Sequence, residues 1–337
     1  MKNKLLFLLI ILFSISCEEK NRNITLNKPL ININVSDNKY IVNDSYSKGD
    51  VRRYGLFPNH KDEVLLQNIL KLAEKGFPIH FPEGYFPINI ILKGKSNINL
   101  HFKNTTIGGA LHIINENEKP SSKIAINGEL TVLDKVFVRK SNNISFDTIN
   151  IKTDTTLNIY KTKNKGVSIY SGSNLLFFNK LSIINTGGQL DDTYKYTASA
   201  LQIHGWNNNP ENLTINHLSI FNADRTAVYI TGNNHKIIKT EIINFGLGTN
   251  KNMQGLEDAD LGEEKEFSGV WINKCSDCTF DTISISNKFK KGNYSLRLDQ
   301  GIYEKPTFIY NVRISEEAKN LEILADKLTN ILVKNEY

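Results

Sequence analysis

The sequence predicts an all-β solenoid, a parallel β-helix, closed at its N-terminal end by a short strand-helix cap. Three observations carry this. A strand grammar with inward-facing aliphatic residues at alternate positions recurs from about residue 97 to the C-terminal region. A single amphipathic helical stretch precedes it. The composition is that of a folded chain: 337 residues, 40% hydrophobic and 23% charged. That balance excludes a disordered chain, a collagen and a polytopic membrane protein.

Residues 1–16 read as a secretory signal. A basic start (Met1-Lys2-Asn3-Lys4) is followed by Leu5 to Phe13 without a polar residue, then Ser14-Ile15-Ser16 and Cys17. The apolar run is about half the ~20 residues that a membrane-spanning helix needs. The small residue before Cys17 makes the segment resemble a bacterial lipoprotein signal, which implies that Cys17 is acylated and becomes the mature N-terminus. Ser14 stands where such signals usually carry Leu, and Glu18-Glu19 resembles an acidic surface-export tag. Removing residues 1–16 takes away Lys2 and Lys4, and the net charge falls from +6 to +4. With no lysine- or arginine-rich run, nucleic acid is excluded as a partner. An acidic polymer outside the cell remains compatible. Residues 17–48, rich in Asn, Lys, Asp and Ser, are expected to form a tether with one early strand around Ile31 to Val35.

Residues 49–92 form the expected cap. Asp50-Val51-Arg52-Arg53-Tyr54-Gly55 is read as a short strand with a turn. Asp62 to Lys75 is helical, with Leu65, Leu66, Ile69, Leu70 and Ala73 on one face and Gly76 as the stop. Ile79-His80-Phe81-Pro82-Glu83-Gly84-Tyr85-Phe86 then gives two strands around a Pro/Gly turn. This order resembles the N-terminal segment of pectate-lyase-like proteins, with Gln67-Asn68-Ile69-Leu70 at the helix position. A stack of coils has an open apolar end, and an amphipathic helix covers it.

Residues 93–337 are expected to be the β-helix itself. One unit is Val167-Ser168-Ile169-Tyr170, then Leu175 to Phe178, then Leu181 to Ile184. It returns at Leu201 to His204, Val228 to Thr231, Val270 to Asn273 and Leu296 to Asp299, with an earlier copy at Val136 to Arg139. Third strands centred on Ser182, Ser219, Glu241 and Ser284 are spaced for parallel pairing, coil upon coil. Variable length in one turn is how a solenoid takes insertions on a single face. The pattern is similar to the right-handed parallel β-helix of the pectin-lyase type.

Alternation assigns the outward side chains of the first strands: Phe137/Arg139, Ser168/Tyr170, Gln202/His204, Tyr229/Thr231, Trp271/Asn273 and Arg297/Asp299. Aromatic faces with polar tips suit sugar rings, and in the families the chain resembles this sheet floors a polysaccharide groove. Arg139, Tyr170, Gln202, Tyr229, Trp271 and Asn273 are therefore the expected substrate-binding residues. Long segments at Asn185–Ser199 and Asn244–Ser268 are expected to wall the cleft, with the short Asn222-Ala223-Asp224-Arg225-Thr226 as its low rim and Arg225 as an unshielded cation. The second wall carries Glu257, Asp258, Asp260, Glu263, Glu264 and Glu266. It offers oxygen ligands for Ca²⁺ but lacks EF-hand spacing. Cys275-Ser276-Asp277-Cys278 is a lone C-x-x-C, hence free thiols or one local disulfide. Asn179 and Asn216 are expected to stack as a turn ladder.

Enzymes of this fold leave three readings open. A polysaccharide lyase acting on a uronate-containing glycan draws on Arg139, His204, Arg225, Lys274 and Arg297. Lys274 and Arg297 resemble the Lys and Arg of the alginate/chondroitin lyase family, although Arg297-Leu298-Asp299 is not R-H-G. An inverting, polygalacturonase-like hydrolase would rest on Asp191, Asp192, Asp224 and Asp299. A non-catalytic glycan-binding lipoprotein needs only the aromatic residues.

Overall fold

The computed structural model describes residues 26–153, 164–186, 199–205, 207–247, 267–289, 292, 294–299, 305–315, 318, 322–325 and 331–336. Its architecture is a parallel β-helix. Along one face the short strands Ile90–Lys93, Leu111–Ile114, Lys135–Arg139, Gly166–Tyr170, Ser199–His204, Thr226–Asn233, Ser268–Ser276, Tyr294–Asp299 and Glu322–Ala325 stack in that order, each parallel to the next. A second series begins with Ile79–Phe81 and Gly84–Phe86, both laid on Ser96–Ile107. It continues through Ser121–Val132, Ser141–Lys152, Asn174–Ile184 and Glu211–Phe221, then Lys236–Ile243, Thr279–Ser286, Thr307–Ile314 and Ile331–Glu336.

The second and third strands read from the sequence merge into one long strand that turns a corner. In Asn174–Ile184 the buried residues are Leu176 and Phe178, then Leu181 and Ile183. The alternation slips by one at Asn179-Lys180, so the inward face follows the coil around. The register matches expectation, with Ser182, Ser219, Glu241 and Ser284 as successive Cα partners. Inside the coils, aliphatic side chains and stacked rings fill the core, Phe146 lying 4.2 Å from Phe178 between ring centroids.

Corners are held by asparagine. Asn97, Lys123, Asn143, Leu175, Asn212, Asn234 and Asp277 occupy the same place on successive coils with φ between 52 and 59°. Asn and Asp tolerate this left-handed conformation best among side chains with a Cβ. The asparagines also bond to one another: Asn212 Nδ2 donates to Asn174 Oδ1 and Asn234 to Asn212. The expected ladder is present too, with Asn216 donating to Asn179 at 3.1 Å and Asn179 to Asp147 at 3.1 Å.

The cap helix runs Glu63–Ala73, its first turn capped by Asp62, whose carboxylate accepts from the Leu65 amide at 2.8 Å. Leu66, Ile69, Leu70, Leu72 and Ala73 are buried over the end of the stack. Four expectations are corrected. Asp50–Gly55 is a 3-10 turn over Val51–Tyr54 and not a strand, because the Asp50 side chain caps the Arg52 amide and Gly55 ends the turn at φ 93°. No strand forms around Ile31 to Val35. The chain there makes a turn and spends its amides elsewhere: Leu30 N–H on Asn97 Oδ1 and Asn32 N–H on the Gly76 carbonyl at the end of the cap helix. From Asn27 onward the expected tether is docked, with buried Asp37 accepting from Arg53 Nε at 3.0 Å and Tyr54 OH at 3.1 Å. The first coil starts at Ile79, inside the expected cap, because Ile79–Phe81 and Gly84–Phe86 already pair with the next long strand.

Candidate functional site

Pairing of the short strands assembles the expected outward ladder. Cα partners run His112–Phe137–Ser168–Gln202–Tyr229–Trp271–Arg297 in one column and Arg139–Tyr170–His204 beside it. Ring centroids follow one another at 5.6 Å (His112 to Phe137), 5.5 Å (Phe137 to Tyr170) and 6.1 Å (Tyr170 to His204). The series continues at 5.6 Å (His204 to Tyr229) and 4.8 Å (Tyr229 to Trp271). Six rings on successive coils thus form one half-buried strip.

Polar tips fix the strip. Tyr170 OH donates to Gln202 Oε1 at 3.1 Å, and Asn273 Nδ2 donates to Tyr229 OH at 2.9 Å. Asp299 accepts twice, from Trp271 Nε1 at 2.8 Å and from Arg297 Nε at 3.1 Å. The Arg297 guanidinium lies 3.9 Å from the Trp271 ring centroid. That cation occupies one Trp271 face, so Trp271 positions Arg297 and is less of an open platform than the sequence implied.

Burial sets the protonation states. It holds His204 below the usual histidine range, so its imidazole is neutral at pH 7. It raises Tyr170, which stays a phenol. A neutral imidazole beside a protonated phenol is an arrangement suited to proton transfer.

Other expected residues sit elsewhere. Asp224 and Arg225 are each only 6% exposed, which corrects the reading of Arg225 as an unshielded cation. The cause is that the backbone of Gly246 and Leu247 covers the rim, donating to the Arg225 and Ala223 carbonyls. Lys274 does not line up with Arg297. Arg297 lies opposite Trp271, and Lys274 is the extra residue of a bulge where Asn273 and Lys274 together face Thr231. Its φ of 55° turns an exposed side chain off the column. Thr231 is itself buried, donating to Asn209 Oδ1 at 2.8 Å. Arg139 is exposed at the rim of its strand. Cys275 and Cys278 are buried and joined in a disulfide, the second of the two expected states.

Cys17 and the signal, Asp191 and Asp192, and the acidic wall from Glu257 to Glu266 lie outside the described residues. Among the described residues no group of three His, Cys, Asp or Glu is placed to hold a metal ion. Nor is any helix among them long and apolar enough to cross a membrane.

Sequence reasoning passed over the N-terminal end of the strip. His112 lies between inward Leu111 and Ile113, and Lys135 is one alternation step before Phe137. Both were readable by extending the period-2 count one step and one coil. No protein-family profile, curated protein or solved structure matches this chain.

Proposed function

We propose that the outward face of the short-strand sheet binds an acidic glycan and that the protein is an exported polysaccharide lyase of the pectate-lyase/polygalacturonase superfamily type. The observation that supports this best is neutral His204 flanked by Tyr170 and Tyr229 on the adjoining coils. In this reading the imidazole takes the proton on the carbon next to a uronate carboxylate. The electron pair forms the ring double bond, the glycosidic carbon–oxygen bond breaks, and the Tyr229 hydroxyl supplies the leaving oxygen with its proton. Asn273, bonded to that hydroxyl, orients it. Arg297, held by Asp299 and Trp271 three coils from His204, binds the carboxylate of a neighbouring uronate along the polymer.

The hydrolase reading has less support. Asp299 is committed to Arg297 and Trp271, and Asp224 is buried. The buried Cys275–Cys278 disulfide fits an oxidising compartment, in keeping with export and with a lipid anchor at Cys17. The deciding experiment is incubation with a panel of uronate glycans, followed by the ultraviolet absorbance of unsaturated uronate. New reducing ends without that absorbance would indicate hydrolysis. Retention without product would indicate a binding protein.

A further inference from the structure

Beyond the His204 centre, the N-terminal end of the strip holds a second cluster: His112, Asp134, Lys135, Phe137 and Lys165. Lys135 begins the strand Lys135–Arg139, and its ammonium sits 5.3 Å from the Phe137 ring centroid. It is half-buried, yet among the described residues no carboxylate lies within ion-pair distance of it. The nearby Asp134 already holds Lys165, at 3.5 Å. Neighbouring coils leave the ammonium room. Ala110 flanks it on the coil before and Gly166 on the coil after. Gly166 has φ +67°, and a Cβ there would stand 2.1 Å from the Ala200 carbonyl oxygen. The two positions in direct register with Lys135 therefore carry no side chain longer than a methyl.

A second observation points the same way. The Nε2 atom of His112, whose ring packs against Phe137, is shielded from solvent and has no hydrogen-bond partner among the described residues. Lys135 and the His112 imidazole thus lie beside an Asp134 that already holds Lys165. Burying a cation without a partner is costly, and a bound anion removes that cost.

We infer that Lys135, with His112 and Lys165 around it, forms an anion subsite for a carboxylate or sulfate group carried by the bound glycan. The subsite lies two coils, about 10 Å, from the row of His204. Electrostatics agree: burial first, and then the Lys165 charge, hold Lys135 below the usual lysine range. Burial and then Lys135 depress His112. This inference rests on the reading of this face as a glycan groove and assigns no chemistry to the subsite.

The test is retention of the full chain on native gels cast with polygalacturonate, alginate or chondroitin sulfate, with carboxyl-reduced polygalacturonate as the uncharged control. Lys135→Gln should lose about tenfold or more in affinity for the charged polymer that retains the parent, the scale of one charged hydrogen bond. Lys135→Arg should recover most of it, and the uncharged control should not distinguish the three proteins. A loss that persists on desulfated chondroitin assigns a carboxylate; one that vanishes assigns a sulfate ester. Equal retention of parent and Lys135→Gln overturns the subsite, while unsaturated product from both would leave the proposed reaction standing. Weakened retention of Lys135→Gln with no product from the parent upholds the subsite and removes the lyase. A parent that no charged polymer retains and that yields no unsaturated product overturns both.

Discussion

His235 makes the stability of this solenoid depend on pH through one buried ring. The side chain is 1% exposed at a coil corner. Its Nδ1 accepts from the Leu213 amide at 3.2 Å, and its Nε2–H donates to the Thr231 carbonyl at 3.0 Å. Acceptance at Nδ1 requires the neutral ring, and burial lowers its pKa to about 4. The unfolded chain protonates this histidine near 6.5, so between pH 6.5 and 4 it binds more protons than the folded chain. The contribution is complete above pH 6.5 and is lost as pH falls toward 4. The gap between the two values corresponds to about 3 kcal/mol, of which about 2 kcal/mol is gone by pH 5. His80, His101, His112 and His204 are also depressed, so the parent's curve mixes several groups. The informative quantity is the difference between the parent and His235→Gln. Glutamine can accept from Leu213 and donate to Thr231 without titrating, at a cost of about 1–2 kcal/mol for looser packing. Urea unfolding followed by tryptophan fluorescence should show the variant less stable at pH 7.5. At pH 5 the parent's loss of about 2 kcal/mol should close that gap or reverse it. A gap that stays constant from pH 7.5 to 5 would refute the assignment of a neutral ring stitching two coils together.

The remaining predictions concern the site and the anchor. His204→Gln should lower turnover on the responsive glycan by ~10²-fold or more while leaving the urea midpoint unchanged. The parent's acid limb should fall below the usual histidine pKa, because burial depresses the ring. Asp299→Asn should raise KM chiefly, with kcat falling about tenfold or less, since it loosens Arg297 without removing a proton donor. A kcat loss beyond ~10³-fold would instead mark Asp299 as the catalytic acid. Cys17→Ser should move the protein from the membrane to the soluble fraction with its melting temperature intact. Persistence in the pellet after alkaline washing would contradict the lipoprotein reading.

Much of the fold was legible because a coil repeats its own physics. Alternating aliphatics in Val228 to Ile230 and Val270 to Ile272 fixed both the inward face and the register. The register then forced Tyr229 beside Trp271 with no further information. What failed to read was set by partners distant in sequence. Nothing near Ile31 announces that Asn97 takes up the Leu30 amide, and nothing in Asn222–Thr226 announces that Gly246 and Leu247 will cover Arg225. Lys274 misled for a related reason: the count is correct up to Asn273, and the bulge shifts it by one residue. The cluster at Lys135 was missed differently, since its strand was recognised but its first outward position was not followed back.

Charge is unevenly spent along the strip, and this bears on how a polyanion would lie there. At the C-terminal end Arg297 is neutralised by Asp299 and pressed onto Trp271, so that end combines a paired cation with an apolar surface. At the N-terminal end Lys165 is held by Asp134, while Lys135 and the exposed Arg139 have no ion pair among the described residues. His204 stands between, uncharged. In a partly desolvated groove an excess cation attracts an anion more strongly than one already paired. A chain with charges at regular intervals would then be held hardest at the Lys135 end, and its segment over His204 would be positioned by rings more than by charge. That division suits proton abstraction. A cation touching His204 would depress its pKa further and weaken it as a base, whereas a charge two coils away anchors the polymer and leaves the imidazole's basicity nearly untouched.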